Sequence, residues 1–380
     1  MRSVLTTVLD AAAGALEVVP GPDGAVLHRS SRTTRSRLTD PGFDFMSAVP
    51  SGVRIEADTD AHVIELDVEL TKVLLAGTTS AGAAFDLVVD GVLRAPVVTT
   101  EETLIVMDPV SGATTFVPAG PTTVRLEIGA PGISRAIEIW LPASTMLKLR
   151  DVRIPDGATL RPAASPGPLW VHHGSSISQC SEADRPTGTW PAIVARGTGH
   201  RLLNLALGGQ CHLDQAVART IRDLPATVVS LELGINVVNA DSMRTRAFVS
   251  AFHGFLDTIR DGHPRTPVVV ITPIVCPAAE EHPGPTRLAA DLTTRTVDRP
   301  AELAEGALSL TAVRGLLGDH VRRRVAEGDT NLYLVDGLTL FGPADAADLP
   351  DGLHPSSRGY QRIAARFEPA VFGPGGVLTR

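Results

Sequence analysis

Cysteine is scarce: three residues in a chain of 380, Cys180, Cys211 and Cys276, odd in number and scattered without metal-ligand spacing. That excludes a disulfide framework and offers no zinc motif. No apolar run is long enough to cross a bilayer. The opening stretch "MRSVLTTVLDAAAGALEVV" begins a short apolar run, but Asp10 and Glu17 interrupt it before a secretory core forms. No Lys/Arg-rich segment exceeds the short "VRRRV" at 321–325, which reads as the solvated face of a helix, and the formal net charge is -8. Nucleic acid and anionic membrane are therefore poor partners, and the expectation is a cytoplasmic protein. Aromatic side chains are few as well. Residues 1–155 contain no Tyr and only Phe43, Phe45, Phe85, Phe116 and Trp140, too little for both a core and an exposed sugar-stacking platform.

What is present is apolar mass. Hydrophobic residues make up 43% of the chain and charged ones 20%, and the length favours two domains over one. Up to about Pro155 the pattern alternates with period two. In "IELDVEL", Ile64, Leu66, Val68 and Leu70 share one face and Glu65, Asp67 and Glu69 the other, the signature of a half-buried strand. Asp90-Gly91 between apolar runs is a hairpin turn signal. Several such strands without a convincing helix predict an antiparallel β-sandwich over residues 1–158. The segment "IPDGATLRPAASPGP" at 154–168 then reads as a linker.

Beyond it the rhythm becomes strand, helix, strand: "PLWVHH", a helix from about Trp190, "RLLNLAL", a helix from about Leu213, "ATVVSLELG", a helix from about Ser242, "PVVVITPI" and "NLYLVDG". Short apolar strands separated by amphipathic helices predict an α/β domain over 159–380, with a parallel sheet covered on both faces. Ligands bind at the carboxyl ends of such strands. Those ends carry "HHGSSIS", "LGGQC" and "LGINVVN", and the segment after the last strand contains "DGLHP". Any one of these is an ordinary turn or cap. Together they bring Ser, Gly, Asn, Asp and His to a single sheet edge.

This set resembles the SGNH, or GDSL, hydrolase family over about residues 168–372. The resemblance implies a flavodoxin-like three-layer catalytic domain and selects Ser176, not Ser175, as the nucleophile, since the block Gly174-Ser175-Ser176-Ile177-Ser178 matches the family's first motif. The family usually has Asp or Asn where Ser175 stands. Gly209 matches its second-block glycine, Asn236 its third-block asparagine, and Asp351 and His354 its final Asp-x-x-His. The chemistry agrees. Ser176 needs a base, His354 supplies one ring nitrogen for the proton, and Asp351 holds the other. The Ser176 and Gly209 backbone N–H groups and the Asn236 amide are the expected oxyanion donors.

Other candidates are structural. His172 and His173 are adjacent on a strand and point to opposite faces, so they do not form a metal pair. Cys211 and His212 follow the oxyanion glycine but read as packing and pocket lining, Asp336 as a backbone-bonding strand end, and Trp190 as a packing anchor. The Pro-rich stretch 276–300 is long enough to be a lid or a segment that contacts the acyl group or the acceptor.

The resemblance further implies the family's two-domain architecture, whose sandwich often looks like a carbohydrate-binding module; the aromatic-poor sequence equally fits a structural domain that helps wall the active site. "GSSIS", "GGQCHLD" and "LGINVVN" look most like those family members that transfer salicylyl to tetracycline-type polyketides. That implies a small-molecule acyl donor, a CoA thioester acting as co-substrate, and a hydroxyl acceptor, with no bound cofactor or metal. The alternative is a carboxylester hydrolase, for example a deacetylase of acetylated carbohydrates.

Overall fold

The structure, a computed structural model, describes residues 1–163 and 166–379; Ala164 and Ser165, inside the expected linker, lie outside the described residues, as does Arg380. Its amino-terminal part packs an eight-stranded sheet on a seven-stranded one, counted among the described residues. The period-two pattern decides which side chains meet between them. Along Val63–Leu75, Ile64, Leu66 and Val68 are fully buried and Leu70 nearly so. On the opposite face Glu65 meets Arg125 at 2.9 Å and Glu69 meets Lys148 at 3.3 Å. Each such buried aliphatic side chain contributes roughly 1.5–3 kcal/mol of transfer free energy, so one strand of this pattern holds its register firmly. The turn at Asp90-Gly91 closes a hairpin, pairing Val89 with Val92 and Val88 with Leu93.

Two expectations need correction. The sandwich is not purely antiparallel, because Thr103–Met107 runs parallel to the end of Val63–Leu75. Nor is it free of helix: Leu5–Asp10, Arg32–Leu38 and Pro41–Ala48 are helical. The last two have clear local causes. Ser31 and Asp40 act as N-caps, accepting from Thr34 N at 3.2 Å and Phe43 N at 2.8 Å, and Pro41 occupies the first turn. Both helices are short, seven and eight residues, too brief for an apolar stripe to stand out among strands.

The last strand paired with the sandwich is Leu160–Pro162. A five-stranded parallel sheet follows, built from β1 (Leu169–His173), β2 (Arg201–Asn204), β3 (Val228–Glu232), β4 (Val268–Ile271) and β5 (Leu332–Val335) in the order β2-β1-β3-β4-β5. That is the flavodoxin-like order, with helices on both faces: Trp190–Thr198 packs with Ser357–Val371, and Gln215–Arg222 packs with Thr245–Gly262. The chain reverses its winding direction at β1, so a crevice opens beyond the carboxyl ends of β1, β2 and β3. Gln215–Arg222 and Thr245–Gly262 begin two or three residues later than the periodicity suggested, and Ile235–Ala240 adds a short helix between them and after β3. Within 276–300, Thr286–Leu288 and Thr294–Thr296 form a hairpin.

The two parts share packing. The core of the parallel domain takes in Phe43, Val88 and Trp140 from the amino-terminal part. Asp86, fully buried in the sandwich, accepts from Arg185 Nη2 at 2.7 Å, Thr187 N at 2.9 Å and Thr187 Oγ1 at 2.6 Å. Among the described residues, no helix is long and apolar enough to cross a membrane.

Candidate active site

β1 ends at His173, and the chain turns through Gly174 and Ser175 into the one-turn helix Ser176–Gln179. Two features make the turn. A Cβ on Gly174 would lie 2.8 Å from both Glu232 Oε2 and Ser178 Oγ, so only glycine fits against β3 here. Ser175 caps the helix by accepting from Ile177 N at 3.1 Å. Its hydroxyl also donates to Glu232 Oε2 at 2.6 Å, as its backbone N–H does at 2.8 Å. Ser175 is therefore spent on structure. Ser176, next in sequence, is left facing the crevice.

His354 reaches it from the far end of the chain. Its Nε2 lies 2.9 Å from Ser176 Oγ, and its Nδ1 lies 2.6 Å from Asp351 Oδ2. The spacing of three works through a local turn: the second carboxylate oxygen of Asp351 accepts from Leu353 N at 2.9 Å and from His354 N at 2.7 Å. Pro355 and the N-cap Ser356, which accepts from Gly359 N at 3.2 Å, then start the helix Ser357–Val371. The hairpin of 276–300 braces the same turn, since Thr294 N donates to Asp351 O at 2.8 Å.

Charge in the crevice favours a protonated imidazole. Burial alone would lower the His354 pKa, but the carboxylates of Glu182 and Asp351 outweigh it and raise the value to about 9. For Asp351, burial acts upward while His354 and the two backbone donors hold the carboxyl below its ordinary range. Glu182 in turn accepts from the buried Tyr360 hydroxyl at 2.6 Å.

The three expected oxyanion donors are free to donate. Ser176 N and Gly209 N make no hydrogen bond among the described residues, and Asn236 uses its Oδ1 to accept from Cys211 N at 3.0 Å, leaving Nδ2 unengaged. Gly209 has φ +72 with open space where a Cβ would stand, so its conformation rather than crowding calls for glycine. The Cys211 bond ties the turn after β2, which carries Gly209, to Asn236 in the short helix after β3.

His172 and His173 are fully buried and held neutral, burial lowering their pKa values to about 3 and 4. His172 Nδ1 bonds Ser230 Oγ at 2.7 Å and His173 Nδ1 bonds Leu205 O at 2.9 Å, on opposite sides of the strand. Burial pushes the Cys211 thiol well up, and its sulfur rests 3.5 Å from His173 Nε2. His212 bonds Gly209 O at 3.0 Å. Asp336 caps a short helix through Leu338 N at 3.0 Å, and Trp190 packs against Trp170 and Phe367.

The sequence reasoning passed over Glu232, Glu182, Tyr360, Gln179 and Arg29. Glu232 had a visible signal, a single carboxylate in the uncharged, mostly apolar run "VVSLEL". The others belong to segments whose spatial neighbours are far away in sequence.

A Ser, His and Asp at these distances, beside unpaired donors and at the switch point of a flavodoxin-like sheet, define a serine acyl-transfer enzyme of the α/β class. More narrowly, residues 173–362, half of the chain, match the GDSL-like lipase/acylhydrolase family, and the chain belongs to it. It is a GDSL-type enzyme. No curated protein sequence matches it. Among solved structures it is similar to the salicylyl-acyltransferase SsfX3 from a tetracycline biosynthetic pathway, with 27% identity and TM-score 0.78 over 97% of this chain and 95% of that one. A GDSL-like lipase from Bacteroides ovatus shares 20% identity at TM-score 0.67, covering 94% of each chain. A family two carbohydrate esterase from Clostridium thermocellum shares 16% at 0.55, covering 84% of this chain and 91% of that chain. These last two likenesses bear on the fold alone.

Proposed function

We propose that the protein moves an acyl group, by way of an acyl-Ser176 intermediate, from a CoA thioester to the hydroxyl of a small-molecule acceptor. In this reading the boundary expected at 158/159 moves past the strand Leu160–Pro162, which pairs with the sandwich, and the catalytic domain is the chain from β1 onward. Ser176 Oγ attacks the thioester carbonyl while His354 Nε2 takes its proton and Asp351 steadies the imidazolium. The oxyanion is held by Ser176 N, Gly209 N and Asn236 Nδ2. Collapse expels the CoA thiolate, which takes the proton from His354. The acceptor hydroxyl then gives its proton to His354 and attacks the acyl carbonyl, and collapse breaks the bond between the acyl carbon and Ser176 Oγ, which takes that proton back from His354. The observation that carries the reading is the unbroken line Asp351, His354, Ser176 at hydrogen-bond distances.

An aromatic acyl group such as salicylyl, and a tetracycline-type polyketide acceptor, are supported by the chain-long likeness to the salicylyl-acyltransferase. A cytoplasmic site of action goes with a CoA thioester donor. Cleavage of acetylated carbohydrate is less well supported. Of the five sandwich aromatics, Phe43, Phe85 and Trp140 are buried and Phe45 is half-buried, leaving only Phe116 exposed for sugar stacking.

The test is to incubate the protein with acyl-CoAs and polycyclic alcohols and to quantify free acid and acylated acceptor together. Acylated product should rise with acceptor concentration, and Ser176→Ala should form neither product nor acyl-enzyme. Free acid with every acceptor offered, together with rapid cleavage of acetylated sugars, would establish the hydrolase instead.

A further inference from the structure

Arg29, just after the sandwich strand Gly24–His28, is 1% exposed and has no carboxylate partner among the described residues. Oxygen dipoles surround its guanidinium instead. Nε donates to Val49 O at 2.6 Å, Nη1 to Asn204 O at 3.0 Å and to Ala206 O, and Nη2 to Met46 O at 2.9 Å and Gln179 Oε1 at 3.3 Å. Burial pushes its pKa down to about 9. A buried cation is costly unless something requires it, and the fork of donors spans three separate segments of chain.

Gln179 is the pivot. It ends the nucleophile helix, and the same Oε1 that accepts from Arg29 accepts from Gly208 N at 2.8 Å. Its Nε2 donates to Ser181 Oγ at 3.1 Å, so the amide faces one way only. Gly208 adjoins the nucleophile: a Cβ built on it would lie 3.6 Å from Ser176 Cβ. Gly208 and Gly209 in succession give the turn after β2 more backbone freedom than any other pair of residues. A donor that rocks stabilises a developing charge poorly, because transition-state stabilisation depends on dipoles fixed beforehand.

We propose that Arg29, acting through Gln179, is a positioning residue that presets the Gly208-Gly209 turn for oxyanion binding. The amino-terminal part thus takes part in transition-state stabilisation without touching substrate. The inference rests on the oxyanion role proposed for Gly209.

The test uses the full-length protein and hydrolysis of p-nitrophenyl acetate. Gln179→Leu removes the acceptor shared by Arg29 and Gly208, and should lower kcat about 10-fold with KM nearly unchanged, short of the ~10²–10³-fold loss expected for a whole donor. Gln179→Glu keeps an oxygen for both donors and should stay close to the parent. Arg29→Lys, whose ammonium lacks the planar fork, should follow Gln179→Leu, and supplies the same measurement if that variant does not fold. Parent-like kcat in Gln179→Leu or Arg29→Lys, a change confined to KM or melting temperature, or equal losses in the Leu and Glu variants would overturn the inference. Asn236→Ala, run alongside, separates the two levels. If it loses about 10²–10³ in kcat while Gln179→Leu does not, only the positioning role fails; if Asn236→Ala and Gln179→Leu both retain full kcat, the oxyanion reading fails together with the inference.

Discussion

At the scale of the residue, the crevice turns one histidine into a base that is mostly protonated at neutral pH. In the proposed reaction His354 is neutral when it accepts the Ser176 proton, and its pKa is raised from 6.5 to about 9. The sign follows directly: below about pH 9 the protonated, inactive form dominates, so kcat/KM for an aryl ester should climb with unit slope and level off near pH 9. Asp351→Asn removes one of the two carboxylates that raise the value, so the rise should move to lower pH while the plateau falls. A rate that is flat from about pH 7 to 9 in the parent would contradict the electrostatic picture. Ser175 and Ser176 make the complementary point. Neighbouring residues of one type differ in role because Glu232 claims the first as a structural donor and leaves the second to the crevice.

At the scale of the element, loops do the positioning and the sheet supplies the frame. The loop from Cys180 to Thr189 carries Glu182 to the edge of the site, and Asp86 of the sandwich grips its far end through Arg185 and Thr187. Arg185→Ala leaves the Asp86 carboxylate buried with only the Thr187 donors. Its removal should cost about 3 kcal/mol, at the low end for breaking a buried pair because Arg185 is itself 27% exposed. Urea unfolding measures this. A loss under about 0.5 kcal/mol would mean that water replaces the arginine freely.

At the scale of the whole molecule, the sandwich and the parallel domain are not independent bodies. Phe43, Val88 and Trp140 complete the core of the parallel domain, and the Arg29 guanidinium satisfies carbonyls at the end of β2. A chain cut to residues 159–380 loses all of these at once, exposing apolar surface and orphaning buried carbonyls. It should express as insoluble or molten protein without a cooperative thermal transition. A soluble, cooperatively folding fragment would show that the parallel domain closes its core alone.

Much of this was legible in the sequence, for a reason that can be stated. Strand period and strand-end composition are local, so "IELDVEL" and the parallel-sheet rhythm could be read one window at a time, while the resemblance to the family's motif blocks singled out Ser176, Gly209, Asn236, Asp351 and His354 as the candidates that the fold brings to one sheet edge. The short helices Arg32–Leu38 and Pro41–Ala48 escaped because two turns carry too few residues for periodicity to separate from turn composition. Glu182 beside Tyr360, Asp86 beneath Arg185, and Arg29 behind Gln179 escaped for a different reason. Each pair is separated by about a hundred residues or more, and nothing in either segment names its partner. The chain's local chemistry determined which side chains are candidates for catalysis. Only the tertiary structure decided which buried charges and carbonyls would meet around them, because that depends on how two separately patterned sheets pack, and burial makes each such meeting obligatory once it is formed.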